Sequence, residues 1–202
     1  MADSGATGID LILASASPRR RELLKQIGIK FEVISHLDVD ETLKSSETPD
    51  QYVSRLAEEK ARAGYAIVYN DSENCKIPVL GADTCIALDG EILGKPADRE
   101  DGIAMLQRLS GRSHQVLTAL CLYDGQLAHE TLSRSTVSFK VIELHEIEQY
   151  WDTGEPADKA GAYAIQGAAA RFVVDLHGSY SGVVGLPLYE LSELLAEVSS
   201  SG

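Results

Sequence analysis

The chain has few cysteines, and their arrangement excludes several classes of site. Three cysteines occur among 202 residues, and no two of them form a C-x-x-C pair. An odd number of widely spaced cysteines does not make a disulfide framework, so we interpret Cys75, Cys85 and Cys121 as reduced structural thiols in a cytosol-like compartment. The five histidines have no i, i+4 partner, so the sequence carries no zinc signature.

Long apolar runs and positive charge are also scarce. No uncharged apolar run reaches the ~18 residues of a membrane span, and residues 1–10 lack the features of a signal peptide. Eighteen Lys and Arg residues oppose 31 Asp and Glu, which gives a formal net charge of −13. That balance disfavours a broad nucleic-acid or anionic-membrane surface but permits one local basic pocket. We therefore expect a cytoplasmic protein without nucleic-acid or membrane partners, and a small phosphorylated ligand.

Two common phosphate-binding motifs are absent from the sequence. It contains neither the G-x-x-x-x-G-K-[ST] of a Walker loop nor the G-x-G-x-x-G of a dinucleotide fold. Residues 178–182, GSYSG, approximate a nucleophile elbow, but the central residue is Tyr180 instead of serine, so we interpret them as a loop. A phosphate site must therefore come from another part of the chain.

A Ser-Pro-Arg turn is the most informative stretch of the sequence. Residues 11–14 predict a short buried strand, Ser17 an N-cap and Pro18 the first residue of a helix. Three arginines, residues 19–21, then stand in the first turn, where the helix dipole disfavours each cation by roughly a few tenths of a kcal/mol. A bound anion removes this conflict, because backbone N–H groups, serine hydroxyls and guanidinium groups are all donors. This favours a phosphate site over the alternative of solvated arginines on a capped helix.

Hydrophobic periodicity and turn residues outline the rest of the fold. They predict an elongated mixed α/β sheet with helices on its faces, in one domain over residues 1–202 with a flexible tail at residues 1–8. The predicted elements are strand 31–34, a helix opened by a capping box at 48–51, strand 79–82 ending at Asp83, a hairpin at 85–93, a helix capped by Asp98, strands 114–123 and 127–141, a helix around 144–151, a loop at 156–159, strands 163–165 and 172–174, and a terminal helix striped from Leu188 to Val198.

Charged residues interrupt these apolar elements at positions suited to phosphate and metal chemistry. Asp83 follows a predicted strand, where open α/β sheets place ligand-binding residues. With Glu41 or Asp40 it could hold Mg²⁺ through one or two carboxylates, and Lys60 and Lys95 would then neutralise the phosphates. Lys60 lies on the same face of its predicted helix as several apolar residues. Two explanations fit equally well: the aliphatic part of the side chain is buried while the ammonium group reaches solvent, or the charge is directed inward. Taken singly, each residue also fits a surface or capping role.

Seven separated motifs together resemble the Maf family of nucleoside triphosphate pyrophosphatases. They run in the family's order from about Leu11 to Leu195. The resemblance implies a Maf/Ham1-like fold with two lobes around a central cleft, a divalent metal, hydrolysis of a nucleoside triphosphate to the monophosphate and pyrophosphate, and a homodimer. The motifs are SASPRR at 15–20, Asp40-Glu41, AEEKA at 57–61, GADT at 81–84, GKP at 94–96, DKAGAY at 158–163 and IQG at 165–167.

Carried over by motif, the resemblance also implies residue roles. Asp83 matches the catalytic carboxylate, which accepts a proton from water, holds the metal, or does both. Glu41 matches a metal or water partner, and the metal is Mg²⁺, Mn²⁺ or Co²⁺, since carboxylate sites accept all three. Substrate contacts are implied for Ser15, Ser17, Arg19, Arg20, Lys60, Thr84, Lys95, Lys159 and Gln166.

Three of these residues indicate a branch of the family. Arg19, Thr84 and Gln166 are similar to the branch that acts on dTTP and UTP. A glutamine amide both accepts and donates hydrogen bonds, which suits the N3–H and carbonyls of thymine or uracil, and modified pyrimidine nucleotides fit as well. The alternatives are the related branch that acts on 7-methyl-GTP, and a nucleotide-binding regulator of septum formation without significant turnover.

Overall fold

A seven-stranded mixed sheet forms the centre of the computed structural model, which describes residues 8–69 and 77–200. The predicted tail lies outside the described residues apart from Gly8, and so does Cys75. The strands are β1 Leu11–Ala14, β2 Phe31–Ile34, β3 Val79–Leu88, β4 Glu91–Leu93, β5 Ser113–Tyr123, β6 Ala128–Phe139 and β7 Val173–His177. The helices in the described residues are α1 Pro18–Gln26, α2 Pro49–Tyr69, α3 Arg99–Leu109, α4 Leu144–Trp151, α5 Tyr180–Val184 and α6 Leu188–Ser200, with 3₁₀ turns at Glu155–Asp158, Ala160–Ala162 and Ala168–Phe172.

The strand order explains why the sheet is mixed. It runs β2-β1-β3-β5-β6-β7, with β4 paired to β3. Strand β1 is parallel to both β2 and β3, because helical crossovers connect these strands, whereas β3, β5 and β6 follow one another antiparallel. The prediction of a mixed α/β sheet flanked by helices is confirmed.

Strand pairing along one edge of β3 is interrupted in the middle of the strand. Strand β1 pairs with β3 as far as Gly81, and β4 begins to pair only at Ile86. Strand β5 occupies the other edge of β3 throughout this stretch. On the edge of β3 that pairs with β1 and β4, residues 82–85 therefore have no partner strand in the described chain, and a gap opens there.

Helix α2 lies unusually close to β3. A Cβ atom on Gly81 would be 2.0 Å from the carbonyl oxygen of Ala57 and 2.6 Å from the nitrogen of Ala61, so only glycine permits this approach. Small residues of α2 and β3 share this buried face. On the opposite face, α1, α3, α4 and α6 cover a larger apolar core. The approach at Gly81 brings α2 within side-chain reach of the gap in β3.

Local signals identified several element boundaries. The predicted capping box of α2 is confirmed, because the Thr48 N–H donates to Gln51 Oε1 at 3.0 Å and the Gln51 N–H donates to Thr48 Oγ1 at 3.3 Å. Asp98 caps α3 as predicted, accepting from the Asp101 N–H at 2.9 Å. Ser17 stands at the N-cap of α1, yet its side chain makes no capping hydrogen bond within the described chain.

Four local predictions are wrong. The strand predicted to end at Asp83 continues to Leu88, because β5 pairs with it from Val79 to Ala87. Residues 163–165 form no strand in the described chain, since Ala162 adopts a positive φ of 59° and turns the backbone away. The predicted loop at 178–182 contains the start of α5, capped by Ser179, and the predicted loop at 156–159 contains a 3₁₀ turn.

No helix within residues 8–69 and 77–200 combines the length and apolarity needed to cross a lipid bilayer.

Candidate active site

The gap beside residues 82–85 of β3 opens into a cleft of about 680 Å³. This volume is within the usual range of small-molecule sites. Its lining includes five cationic side chains against three acidic ones, an excess of two positive charges in a chain whose net charge is −13. All eleven residues singled out from the sequence line it: Ser15, Ser17, Arg19, Arg20, Glu41, Lys60, Asp83, Thr84, Lys95, Lys159 and Gln166.

A lysine and two carboxylates meet on the α2 side of the cleft. The Lys60 Nζ atom lies 2.6 Å from Asp83 Oδ1 and 2.6 Å from Glu41 Oε1. The side chains of Lys60 and Asp83 are each only 12% exposed, so the lysine charge is directed inward and does not snorkel to solvent. Asp40, the alternative to Glu41, lies outside the cleft lining and accepts a hydrogen bond from the Thr42 N–H.

The two carboxylates have pKa values displaced in opposite directions. Burial raises the pKa of Asp83, and the charges of Lys60 and Arg20 oppose this only in part. Desolvation also acts to raise the pKa of Glu41, but the hydrogen bond and charge of Lys60, together with Lys95 and Arg20, outweigh it and lower that pKa. Neighbouring acids whose pKa values differ in this way are suited to different tasks. Asp83 is the stronger base, and Glu41 is more firmly ionised.

A fixed guanidinium group occupies the other side of the cleft. Arg20 donates from Nε to the Gly185 carbonyl at 2.8 Å, from Nη1 to Ser15 Oγ at 3.0 Å and from Nη2 to Thr84 Oγ1 at 3.3 Å. Gly185 presents its carbonyl from a backbone with φ of 124°, a conformation that favours glycine. Burial lowers the pKa of Arg20.

Arg20 keeps part of its donor capacity for a ligand. Three of its five N–H groups are used, and no carboxylate of the described residues lies within ion-pair distance of it. The Ser15 hydroxyl oxygen accepts from Arg20 and from the Ser17 N–H at 3.2 Å, which leaves its own proton to donate. A desolvated cation without a counter-ion is costly, so this arrangement suits a bound anion.

The remaining predicted residues surround this centre. Lys159 is ion-paired with its neighbour Asp158, whose pKa is lowered chiefly by that hydrogen bond and also by the charge of Arg19. Lys95 and Gln166 are exposed, and neither side chain has a hydrogen-bond partner within the described chain. These two side chains are therefore free to adjust to a ligand.

Sequence reasoning missed residues that hold the site together. Thr118 is buried on β5 and donates from Oγ1 to the Gly182 carbonyl at 2.8 Å. Because this uses its only proton, the 3.0 Å contact with Thr84 requires Thr84 to donate to Thr118, which leaves Thr84 to accept from Arg20. A threonine within an apolar strand gave no signal of this role, and neither did Tyr52, whose hydroxyl donates to the Glu41 carbonyl at 3.0 Å.

The carboxylate pair offers two ligands that a divalent metal could use. The described residues contain no convergent group of three or more His, Cys, Asp or Glu side chains. Glu41 and Asp83 do share one ammonium group between them. Mg²⁺ commonly takes one or two carboxylates and completes its shell with waters and phosphate oxygens, so two carboxylates suffice for such a metal.

These features define the class of protein. It is an α/β protein whose interrupted sheet forms a cleft, with a net positive lining, an unpaired guanidinium group on one side and a pair of carboxylates on the other. Such a cleft is built to accept a compact polyanion.

Comparison with known proteins gives the family. A model described as Maf-like protein matches residues 10–198. The chain is 55% identical over 187 residues to the dTTP/UTP pyrophosphatase of Alkalilimnicola ehrlichii, covering 93% of this chain and 92% of that relative. It is 50% identical over 189 residues to the dTTP/UTP pyrophosphatase of Pseudoalteromonas atlantica, covering 94% and 97% respectively. The chain therefore belongs to the Maf family, as its motifs predicted.

The solved structure of the Staphylococcus aureus Ham1 protein aligns with a TM-score of 0.38 at 18% identity, over 65% of this chain and 71% of that one.

Proposed function

We propose that this protein is a nucleoside triphosphate pyrophosphatase that hydrolyses dTTP and UTP, in a metal-dependent reaction, to the monophosphate and pyrophosphate. The observation that carries the proposal is the unpaired guanidinium group of Arg20, fixed across the cleft from the Glu41 and Asp83 carboxylates. The names of relatives about half identical over nearly the whole chain support the same substrates.

The α1 side of the cleft binds the triphosphate. The two remaining N–H groups of Arg20 and the Ser15 hydroxyl donate to phosphate oxygens, and Arg19, Lys95 and Lys159 add positive charge around them. Because Arg20 is already held by three hydrogen bonds, little side-chain entropy is lost when the ligand binds. The triphosphate chain is thereby oriented with its α-phosphorus toward the carboxylates.

The α2 side supplies the reacting groups. Asp83 accepts a proton from water as the water oxygen forms a bond to the α-phosphorus. The bond between that phosphorus and the bridging oxygen breaks, its electron pair leaves with pyrophosphate, and Arg20 and Lys60 stabilise the developing charge. Glu41, with the lower pKa, stays ionised and would hold a divalent metal together with Asp83. The metal supplies Lewis-acid stabilisation of charge on the phosphate oxygens.

Base selection falls to the outer part of the cleft. Gln166 is exposed at its margin, where its amide both donates and accepts and so matches the edge of uracil or thymine. Modified pyrimidines that keep the same edge are substrates on the same argument. A cytosine edge reverses one donor and one acceptor, so an amide oriented for uracil or thymine does not satisfy it in the same arrangement.

A nucleotide panel tests the proposal. Purified protein is incubated with dTTP, UTP, dCTP, dATP, dGTP and 7-methyl-GTP, each with Mg²⁺, Mn²⁺ or Co²⁺ and with chelator, and released pyrophosphate is measured. We expect metal-dependent release with dTTP and UTP preferred. Preference for 7-methyl-GTP would assign the protein to the other branch, and tight binding without turnover would assign a regulatory role.

Isotope labelling tests the site of attack. In water enriched in ¹⁸O, attack at the α-phosphorus places the label in the monophosphate. Label in pyrophosphate instead would overturn the mechanism, because it would mean attack at the β-phosphorus.

A further inference from the structure

Glu41 lies on a segment that has no regular structure of its own. Residues 35–48, all of which the structure describes, connect β2 to α2 without a helix or strand, and the Glu41 side chain is 53% exposed. Irregular segments with exposed side chains populate many backbone conformations unless other groups restrain them. Glu41 nevertheless reaches Lys60 at 2.6 Å, so its placement needs a cause outside its own segment.

Two side chains of α2 hold the backbone on both sides of Glu41. Arg55 donates from Nη1 to the Asp40 carbonyl at 3.4 Å and from Nη2 to the Thr42 carbonyl at 3.2 Å. Tyr52, one turn earlier on the helix, donates its hydroxyl to the Glu41 carbonyl at 3.0 Å. Three consecutive carbonyls are thus bound by the same helix that carries Lys60.

Arg55 is itself held rigidly by two acids. Its Nε and Nη2 atoms form a bidentate pair with Glu47 at 2.6 and 2.9 Å, and Nη1 donates to Glu59 Oε2 at 3.1 Å. The Arg55 and Glu47 side chains are 15% and 8% exposed. The hydrogen bond from Arg55 lowers the pKa of Glu47 to about 2, so this pair stays charged throughout the neutral range.

The donor count distinguishes Arg55 from Arg20. Arg55 makes five hydrogen bonds, to Glu47, Glu59, Asp40 and Thr42, which matches the five N–H groups of a guanidinium. It has no donor left for a ligand, whereas Arg20 retains two. A lysine at position 55 would have three donors on one atom and could not span both acids and both carbonyls.

We infer that Arg55 is a positioning residue, which fixes the backbone of residues 40–42 so that the Glu41 carboxylate is presented to Lys60 and Asp83. The effect of Arg55 on turnover rests on the proposed function, whereas its effect on the placement of residues 40–42 rests on the geometry alone. Because α2 carries both Arg55 and Lys60, the helix sets the distance between the Glu41 carboxylate and the ammonium group.

The test is the Arg55→Lys variant of the full chain, combined with Glu41→Gln. We expect R55K to lower kcat for the preferred triphosphate by about 10- to 100-fold and to raise the half-saturating metal concentration, with a smaller change in KM for the nucleotide. In the E41Q background the same substitution should change kcat by less than about twofold, because Glu41 is then no longer there to be positioned. Equal loss in both backgrounds would overturn the inference.

Hydrogen exchange provides a readout that does not depend on turnover. In R55K the amides of residues 38–44 should exchange faster, while those of β5 keep the wild-type rate. Unchanged exchange at 38–44 would contradict the placement claim even in an active enzyme. If the wild-type protein turns over no triphosphate, the proposed function fails, and the exchange measurement still decides what Arg55 does.

Two further variants separate positioning from general stabilisation. Arg62→Lys is the matched control, because Arg62 lies on the same helix and pairs with Glu58 at 2.7 Å but makes no contact with residues 40–42. It should leave kcat and exchange at 38–44 unchanged. If R55K does not fold, Tyr52→Phe removes only the hydrogen bond to the Glu41 carbonyl and should change both readouts in the same direction by a smaller amount. An unaffected Y52F enzyme would then count against the inference.

Discussion

The two sides of the cleft treat charge in opposite ways. On the α2 side, formed by Glu41, Lys60 and Asp83, one ammonium group lies 2.6 Å from each of two carboxylates. On the α1 side, formed by Ser15, Arg20 and Thr84, a guanidinium group is held by neutral acceptors only. In the proposed function, the first side supplies the reacting groups, and the second binds the negative charge of the triphosphate.

Adjacent residues of β3 separate the two sides. Asp83 and Thr84 are consecutive, and successive side chains of a strand point to opposite faces of the sheet. Asp83 therefore meets Lys60 of α2, and Thr84 meets Arg20 of α1. Both open into one cleft because β3 lacks a partner strand at residues 82–85 of the described chain. Variants on the two sides should consequently fail in different ways.

The largest effect is expected for Asp83→Asn on the α2 side. An amide cannot accept the proton from water, so kcat should fall by about 10³-fold or more, with a smaller change in KM. Steady-state kinetics with the preferred triphosphate measures this. Turnover close to that of the wild type would show that Asp83 takes no part in the reaction. It would also contradict the assignment of the reacting groups to the α2 side.

The same variant should change the pH dependence of stability in a defined direction. The pKa of Asp83 is raised in the folded state, so its contribution to stability is greatest below the unfolded value of about 3.9 and is lost as pH rises through the folded value. The stability of D83N relative to wild type should therefore increase from acidic toward neutral pH. Thermal melts across that range measure the difference, and a deficit that grows with pH would contradict the assigned pKa direction.

A smaller loss, mainly in binding, is expected for Arg20→Lys on the α1 side. Lysine cannot reach the Ser15, Thr84 and Gly185 acceptors together, so kcat/KM should fall by about 100-fold, with inhibition by pyrophosphate weakened in parallel. The control is Arg21→Lys, since within the described chain the Arg21 side chain donates only to the Ala16 carbonyl, at 3.3 Å, and the variant should be nearly silent. An unchanged inhibition constant for pyrophosphate in R20K would show that Arg20 does not bind phosphate.

Thr118→Val should have a weaker effect on the same side. The buried Gly182 carbonyl and the Thr84 hydroxyl each lose a partner, which costs about 1–3 kcal/mol of stability, and a less firmly held Arg20 should lower kcat/KM by roughly tenfold. Denaturant unfolding and kinetics measure the two effects. Thr118→Ser keeps the hydroxyl and should restore kcat/KM; failure to do so would mean that packing of the threonine methyl group dominates.

The smallest effect is expected for Gln166→Ala at the cleft margin. The exposed amide makes no hydrogen bond within the described chain, so stability should not change. Loss of the hydrogen bonds between the amide and the base should lower the preference for UTP over CTP by roughly 3- to 10-fold. Parallel kcat/KM values for the two nucleotides measure this, and an unchanged ratio would place base selection elsewhere in the cleft.

Short-range signals in the sequence, such as helix caps, predicted much of the fold. The capping box at residues 48–51 and the cap at Asp98 were predicted because these hydrogen bonds lie within one helical turn. The end of a strand at Asp83 was predicted wrongly, since β3 is buried on both faces and its apolar run gives no sign of where pairing changes. Arg55 was not predicted, because three of the four residues that accept its hydrogen bonds lie eight or more residues away on an irregular segment.

By itself, the sequence determined the family, the class of fold and eleven of the residues that line the cleft, because these follow from short motifs, periodicity and caps that act over a few residues. The tertiary structure alone decided that Arg20 has no carboxylate within ion-pair distance among the described residues, that Lys60 bridges Glu41 and Asp83, and that Arg55 and Thr118 contact the backbone of residues 40, 42 and 182. Burial and partner choice set charge and pKa, and both depend on contacts between segments that are distant along the chain.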